Sequence, residues 1–122
     1  MEKPMQPLKI IEHITQWLDA YLEESGMTGF VVGVSGGIDS AVTSTLCART
    51  QKKVLALNMP ILQASDQVSR ASGHISWLKA RFETVTGIDM DLTPVFEQIC
   101  QSLPQTVQDD LTMANTRSRL RM

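Results

Sequence analysis

Apolar side chains along this chain recur with two periods, and the alternation between them predicts its elements. From Leu8 to about Glu24 they fall at Ile10, Ile11, Ile14, Trp17, Leu18, Tyr21 and Leu22. That is one face of an amphipathic helix, stopped by Gly26. Phe30-Val31-Val32-Gly33-Val34 then reads as a short strand covered on both faces, because β-branched side chains fit a pleat. The strand runs into Ser35-Gly36-Gly37, where residues without a Cβ permit a tight turn and close backbone approach to a ligand. Asp39 and Ser40 open the next helix, which carries Ala41, Val42, Thr45 and Leu46 at helical spacing and ends near Thr50. Val54-Leu55-Ala56-Leu57-Asn58 is a second short strand, closed by Met59-Pro60. Strand, helix and strand within about thirty residues make a βαβ unit, with parallel pairing and a right-handed crossover.

Ser65-Asp66 can cap a third helix with Val68, Ala71, Ile75 and Leu78 on one stripe. Gly73 weakens its middle by roughly 1 kcal/mol relative to alanine. Glu83-Thr84-Val85-Thr86 predicts a third strand ended by Gly87, and Asp91 caps a fourth helix with Leu92, Val95, Phe96, Ile99 and Leu103 inward. The stretch from Asp109 to Met122 begins with acids and ends with Arg117, Arg119 and Arg121, a charge order that suits a helix dipole. On that helix Asn115 and Arg119 share a face, and Arg117 and Arg121 share another about 160° away. The whole predicts an α/β fold, an open parallel sheet with helices on both faces, in a single domain over residues 1–122.

Composition narrows the function classes. A chain of 122 residues holds one domain at most, and its net charge of −2 gives no basic surface for duplex nucleic acid. No apolar run approaches the roughly 20 residues that cross a membrane, and Met-Glu-Lys-Pro-Met-Gln-Pro lacks a signal peptide's apolar core. Cys47 and Cys100 fall on separate predicted helices without metal-ligand spacing, as expected of thiols in a reduced cytoplasmic protein. His13 and His74 have no partner at ligand spacing and read as solvated or packing side chains. Trp77 and Phe82 read as core or interface.

The candidate chemistry lies at two stretches. A strand, a glycine turn and a helix start form an anion site, because unpaired N–H groups and the positive end of the helix dipole face whatever sits above the turn. Ligands bind beyond the carboxyl ends of strands in open parallel sheets, so Met59-Pro60 and the glycine turn belong to one crevice. No Gly-Lys-Ser/Thr follows the glycines, and no Gly-x-Gly-x-x-Gly is present, so neither a P-loop nor a dinucleotide-binding turn fits. Ser35-Gly36-Gly37-Ile38-Asp39-Ser40 resembles instead the pyrophosphate-binding loop of the N-type ATP pyrophosphatases. These include NAD, GMP, asparagine and argininosuccinate synthetases and tRNA-thiolation enzymes. The plain alternative is an ordinary glycine turn with Asp39 or Ser40 as a helix N-cap.

The second stretch chooses among members. Asn115-Thr116-Arg117-Ser118-Arg119-Leu120-Arg121-Met122 resembles the Asn-x-x-Ala-Arg-x-Arg-Met signature of NAD synthetases, with Ser118 in place of the usual alanine. The long helix before the first strand, the Met59-Pro60 pair and the Asp109-Asp110 approach are similar to that family as well. The resemblance covers essentially the whole chain but only the first part of a family member. It implies an incomplete adenine nucleotide alpha hydrolase-like, Rossmann-like fold. Many members carry a basic residue where Asn58 stands, a departure at the end of the second strand.

The resemblance implies an ammonia-dependent NAD synthetase. The nicotinic-acid carboxylate of deamido-NAD attacks the α-phosphorus of ATP, and ammonia then displaces AMP. ATP would be held through Val34, Ser35, Gly36, Gly37, Ile38, Asp39, Ser40, Asn58 and Met59, with Ser35 and Ser40 as positioning hydroxyls. Asp39 would be the Mg²⁺ ligand, and Asn115, Arg119 and Arg121 would face deamido-NAD. A homodimer follows, with the deamido-NAD site at its interface and neither nucleic acid nor membrane as partner. Neither cysteine sits in a glutaminase nucleophile motif, so ammonia is the expected nitrogen donor. Two other readings stand beside this one: another N-type ATP pyrophosphatase, or a nucleotide-binding fragment that does not catalyse.

Overall fold

The computed structural model describes residues 3–122. In chain order its elements are α1 (Pro7–Ser25), β1 (Gly29–Gly33), α2 (Ile38–Arg49), β2 (Lys53–Asn58), α3 (Ser65–Arg81), β3 (Val85–Asp89), α4 (Thr93–Ser102) and α5 (Asp110–Leu120). A single 3₁₀ turn, Gln105–Val107, joins the last two helices. The strands pair in parallel in the order β1-β2-β3, with Val31 opposite Leu55 and Leu55 opposite Thr86. This is the expected βαβ unit, used twice in succession. Val54, Ala56 and Val85 on the sheet meet Cys47 and Ala48 of α2 and Ala71, Ile75 and Leu78 of α3 in one core. Both crossover helices therefore cover the same face, and α1 packs outside them against α2.

Period decided which elements form, and packing decided which of their faces turn inward. On α2 the buried positions are Ser44, Cys47 and Ala48, while Val42 is 50 % exposed. Small side chains let this helix approach the sheet closely, and Ala41, Val42, Thr45 and Leu46 are left lining a surface groove with Trp77. Burial also pushes the Cys47 thiol above its usual pKa. On α1 only Leu22 is buried, and Ile10, Trp17 and Tyr21 face outward with the two rings stacked 5.3 Å apart. Val95 of α4 is likewise turned outward, and Phe96 is its buried residue. His74 proves to be a packing histidine, with Nε2 3.0 Å from the buried Ser44 Oγ and its ring stacked on Trp77.

Two predicted boundaries move. Gly87 does not end β3 but sits inside it opposite Ala56, because Ile75 of α3 presses on the strand there. A Cβ at Gly87 would come within 2.6 Å of Ile75 Cγ2. Nor do Ser65 and Asp66 cap α3: Ala64 holds the cap position without a side-chain bond, and Asp66 pairs with Arg70 one turn on. β1 is not covered on both faces either. It lies at the sheet edge, and Val31 is 68 % exposed on the face opposite the core. Ile88 is exposed on that face too, with Leu55 and Leu57 half-buried between them.

Candidate functional site

The carboxyl ends of β1 and β2 open side by side. The Val34 N–H donates to the Leu57 carbonyl at 2.8 Å, carrying the parallel ladder one step past β1. The chain then turns through Ser35-Gly36-Gly37, laced by two serines. The Ser35 N–H donates to Ser40 Oγ at 3.0 Å, the two hydroxyl oxygens lie 3.1 Å apart, and the Gly37 N–H donates to Ser35 Oγ at 3.3 Å. Gly36 has φ of +89°, the left-handed region that a residue with a Cβ enters at a cost.

The N-cap of α2 is Gly37, in extended conformation and without a side-chain cap bond. Asp39 and Ser40 lie inside the first turn, which rules out either of them as the N-cap. The N–H groups of Ile38, Asp39 and Ser40 precede any intrahelical acceptor, so they and the helix dipole are directed at the space above the loop. Asp39 is exposed beside them. It is itself the acidic residue of that first turn.

Next to the loop is a pocket of about 200 Å³ lined by Gly33, Val34, Ser35, Leu57, Met59, Gln63 and Arg121. Arg121, just past the end of α5, reaches it through two bonds: Nε donates to the Met59 carbonyl at 2.9 Å, and Nη2 to Gln63 Oε1 at 3.3 Å. Burial, and after it the charge of Arg117, push the Arg121 guanidinium below its usual pKa. A guanidinium remains charged at any physiological pH, so the pocket carries one positive group. Gln63 was not singled out from the sequence. No sequence signal marks it: a turn at Leu62, whose φ of +53° is uncommon for a bulky residue, brings Gln63 to the pocket.

The remaining predicted site residues separate. Met59 joins the pocket, whereas the Asn58 side chain is buried on the other side, its Nδ2 donating to Ser72 Oγ of α3 at 3.1 Å. Asn115 and Arg119 share an exposed face of α5, apart from Arg121. Arg117 instead lies over the Phe96 ring at 5.7 Å. Asp109 starts this helix by accepting the Thr112 N–H at 2.7 Å, and that bond holds its carboxyl below the usual range. Among the described residues no three His, Cys, Asp or Glu side chains come together as a metal cage, and no helix is long and apolar enough to cross a membrane. Asp39 is a lone exposed carboxylate beside the glycine loop, and an Mg²⁺ site of the kind that uses one or two carboxylates with phosphates and water would need no such cage.

Known proteins resemble this chain in sequence and fold. The sequence profile of the family described as NAD synthase matches residues 10–122. The chain is 35 % identical over 116 residues to the NH(3)-dependent NAD(+) synthetase of Malacoplasma penetrans, covering 94 % of this chain and 44 % of that protein. It is 37 % identical over 114 residues to the protein of the same name from Thermococcus kodakarensis, covering 92 % and 42 %. Among solved structures it superposes with a TM-score of 0.84 on the NMN synthetase of Francisella tularensis, at 27 % identity over 97 % of this chain and 48 % of that one. The NH3-dependent NAD synthetase of Campylobacter jejuni superposes equally well, at 26 % identity over 97 % and 49 %. The chain thus spans less than half the length of each of these relatives.

Proposed function

The chain belongs to the NAD synthase family, and from that premise we propose that it supplies the ATP-activating half of an ammonia-dependent NAD synthetase. One observation carries this reading. An uncapped helix start, preceded by a glycine loop, opens beside a pocket whose single cation is Arg121. In the proposed reaction the carboxylate of deamido-NAD attacks the α-phosphorus of ATP, the bond to the β-phosphate oxygen breaks, and pyrophosphate leaves. Ammonia then adds to the activated acyl carbon, the acyl–oxygen bond breaks with AMP departing, and one proton is lost as the amide forms.

The chain's residues serve the first step by placement rather than by nucleophilic attack. The N–H groups of Gly37, Ile38 and Asp39, with the Ser35 and Ser40 hydroxyls, meet the leaving pyrophosphate where its charge develops. Asp39 would hold Mg²⁺, which supplies charge neutralisation to the phosphates when bound. Arg121, Met59 and Gln63 would line the nucleotide, and Asn58 would act only through its backbone. On α5 the exposed Asn115 and Arg119 form a fork for the acid substrate, at the interface of a cytoplasmic homodimer. The test is calorimetry of ATP and of inorganic pyrophosphate, each with magnesium. Binding that vanishes in Asp39→Asn and needs magnesium supports the reading, and wild-type protein that ignores both ligands overturns it. In activity assays of the complete enzyme, the name of the Francisella relative makes the mononucleotide acid the second acceptor to offer.

A further inference from the structure

The glycine loop does not stand alone; the first two turns of α3 press on it. A Cβ on Gly36 would lie 2.5 Å from the Gln67 carbonyl oxygen, so the loop backbone rests directly on that helix. One turn on, Arg70 Nε donates to the Gly36 carbonyl at 3.3 Å. Its Nη1 donates to Asp66 Oδ2 at 3.2 Å, an i,i+4 pair that holds the long side chain over the loop. We infer that Arg70 is a positioning residue for the proposed pyrophosphate site: by fixing the Gly36 carbonyl it aims the Gly37 N–H into the hollow of the loop.

The peptide plane supplies the link. In a trans peptide the C=O and the following N–H point in opposite directions. With the Gly36 oxygen held outward on Arg70, the Gly37 N–H is turned toward Ser35 Oγ, inside the loop. A peptide between two glycines meets almost no steric resistance to flipping. Flipped, it would present a carbonyl oxygen to the anion in place of a donor. Arg70 therefore acts at a distance from the phosphates, by adding to the Gly37–Ser35 bond a second hold on the same peptide. The inference rests on the loop being the pyrophosphate site.

Arg70→Gln separates this role from simple charge attraction, since glutamine keeps an N–H donor the same number of bonds from the backbone and drops the charge. Pyrophosphate–magnesium binding to the 122-residue chain is measured by calorimetry at 0.15 M salt, and the Gly37 amide resonance is followed by ¹⁵N NMR without ligand. Arg70→Ala is expected to weaken binding about five- to tenfold and to shift the Gly37 amide, with Arg70→Gln staying within about twofold of wild type. Unchanged binding and an unmoved amide in Arg70→Ala overturn the inference. So does equal weakening in both variants with the amide unmoved, which is charge attraction alone. If wild-type protein fails to bind pyrophosphate, it is the reading of the loop that falls, and the amide shift still decides whether Arg70 holds the peptide.

Discussion

Gly36 and Asp39 lie three residues apart and are expected to fail in opposite ways. Gly36 is structural: at φ of +89° an L-residue pays about 1–2 kcal/mol, and the Gln67 carbonyl leaves no room for a methyl group. Gly36→Ala should therefore lower the unfolding free energy in urea by roughly 1–3 kcal/mol, and it should abolish pyrophosphate binding because the loop must move off α3. A variant of wild-type stability and affinity would show that the loop has slack. Asp39 is exposed in the first turn of α2 and forms no salt bridge among the described residues. Asp39→Asn is expected to change stability by less than about 0.5 kcal/mol while removing the magnesium-dependent part of ATP binding. Retained magnesium dependence would take the metal role from Asp39.

Helix starts define the next scale, and two of them depend on acid groups. The Asp109 carboxylate accepts the Thr112 N–H ahead of α5, and Asp91 accepts the Thr93 N–H at 2.9 Å ahead of α4; these bonds hold both carboxyls below their usual range. A native pKa below the unfolded value means that the ionised form favours the folded state. The contribution is complete above the unfolded value of about 3.9 and is lost as pH falls through the lower native value. Far-UV circular dichroism should stay flat from neutral pH to about 4 and then report fraying of α4 and α5. Asp109→Asn keeps a capping oxygen and should flatten the α5 part of that profile. A helical signal that melts well above pH 4 would place the sensitive group elsewhere.

At this scale the sequence was legible wherever structure is local. The glycine loop, the first βαβ unit and all five helices follow from period and turn chemistry. What stayed hidden depends on a neighbour's position. α2 buries Ser44, Cys47 and Ala48 because the sheet lies on that side, although its larger apolar residues suggested another face. Gly87 reads as a terminator until Ile75 is seen against it. Val95 reads as core until α4 is found with one side open. In the candidate site, the loop was readable as a contiguous motif. The contacts of Arg121 with Met59 and of Arg70 with Gly36 span 62 and 34 residues, and no sequence period records them.

At the scale of the molecule, α5 ties two proposed sites together. From Asn115 to Arg121 is six residues, about 9 Å along a helix axis, so the exposed fork on α5 lies within two turns of the pocket cation at its C-cap. The proposed first step requires the acid's carboxylate to be held in line with the α-phosphorus, and such placement corresponds to an effective molarity on the order of 10⁵ M or more. In this chain the fork faces solvent, the sheet face bearing Val31 and Ile88 is open, and Asp39 is the carboxylate in the first turn of α2. The chain also spans 44 % of its Malacoplasma relative. In the proposed reading ATP binding draws on the loop, Asp39 with magnesium, the pocket and Arg121, whereas transfer needs walls on the acid side as well. The 122-residue chain is therefore expected to bind ATP–magnesium yet form no detectable NAD from deamido-NAD, ATP and ammonia, as followed by chromatography of the products. Sustained turnover by the chain alone would show that the open face and the exposed fork already constitute a working acid site.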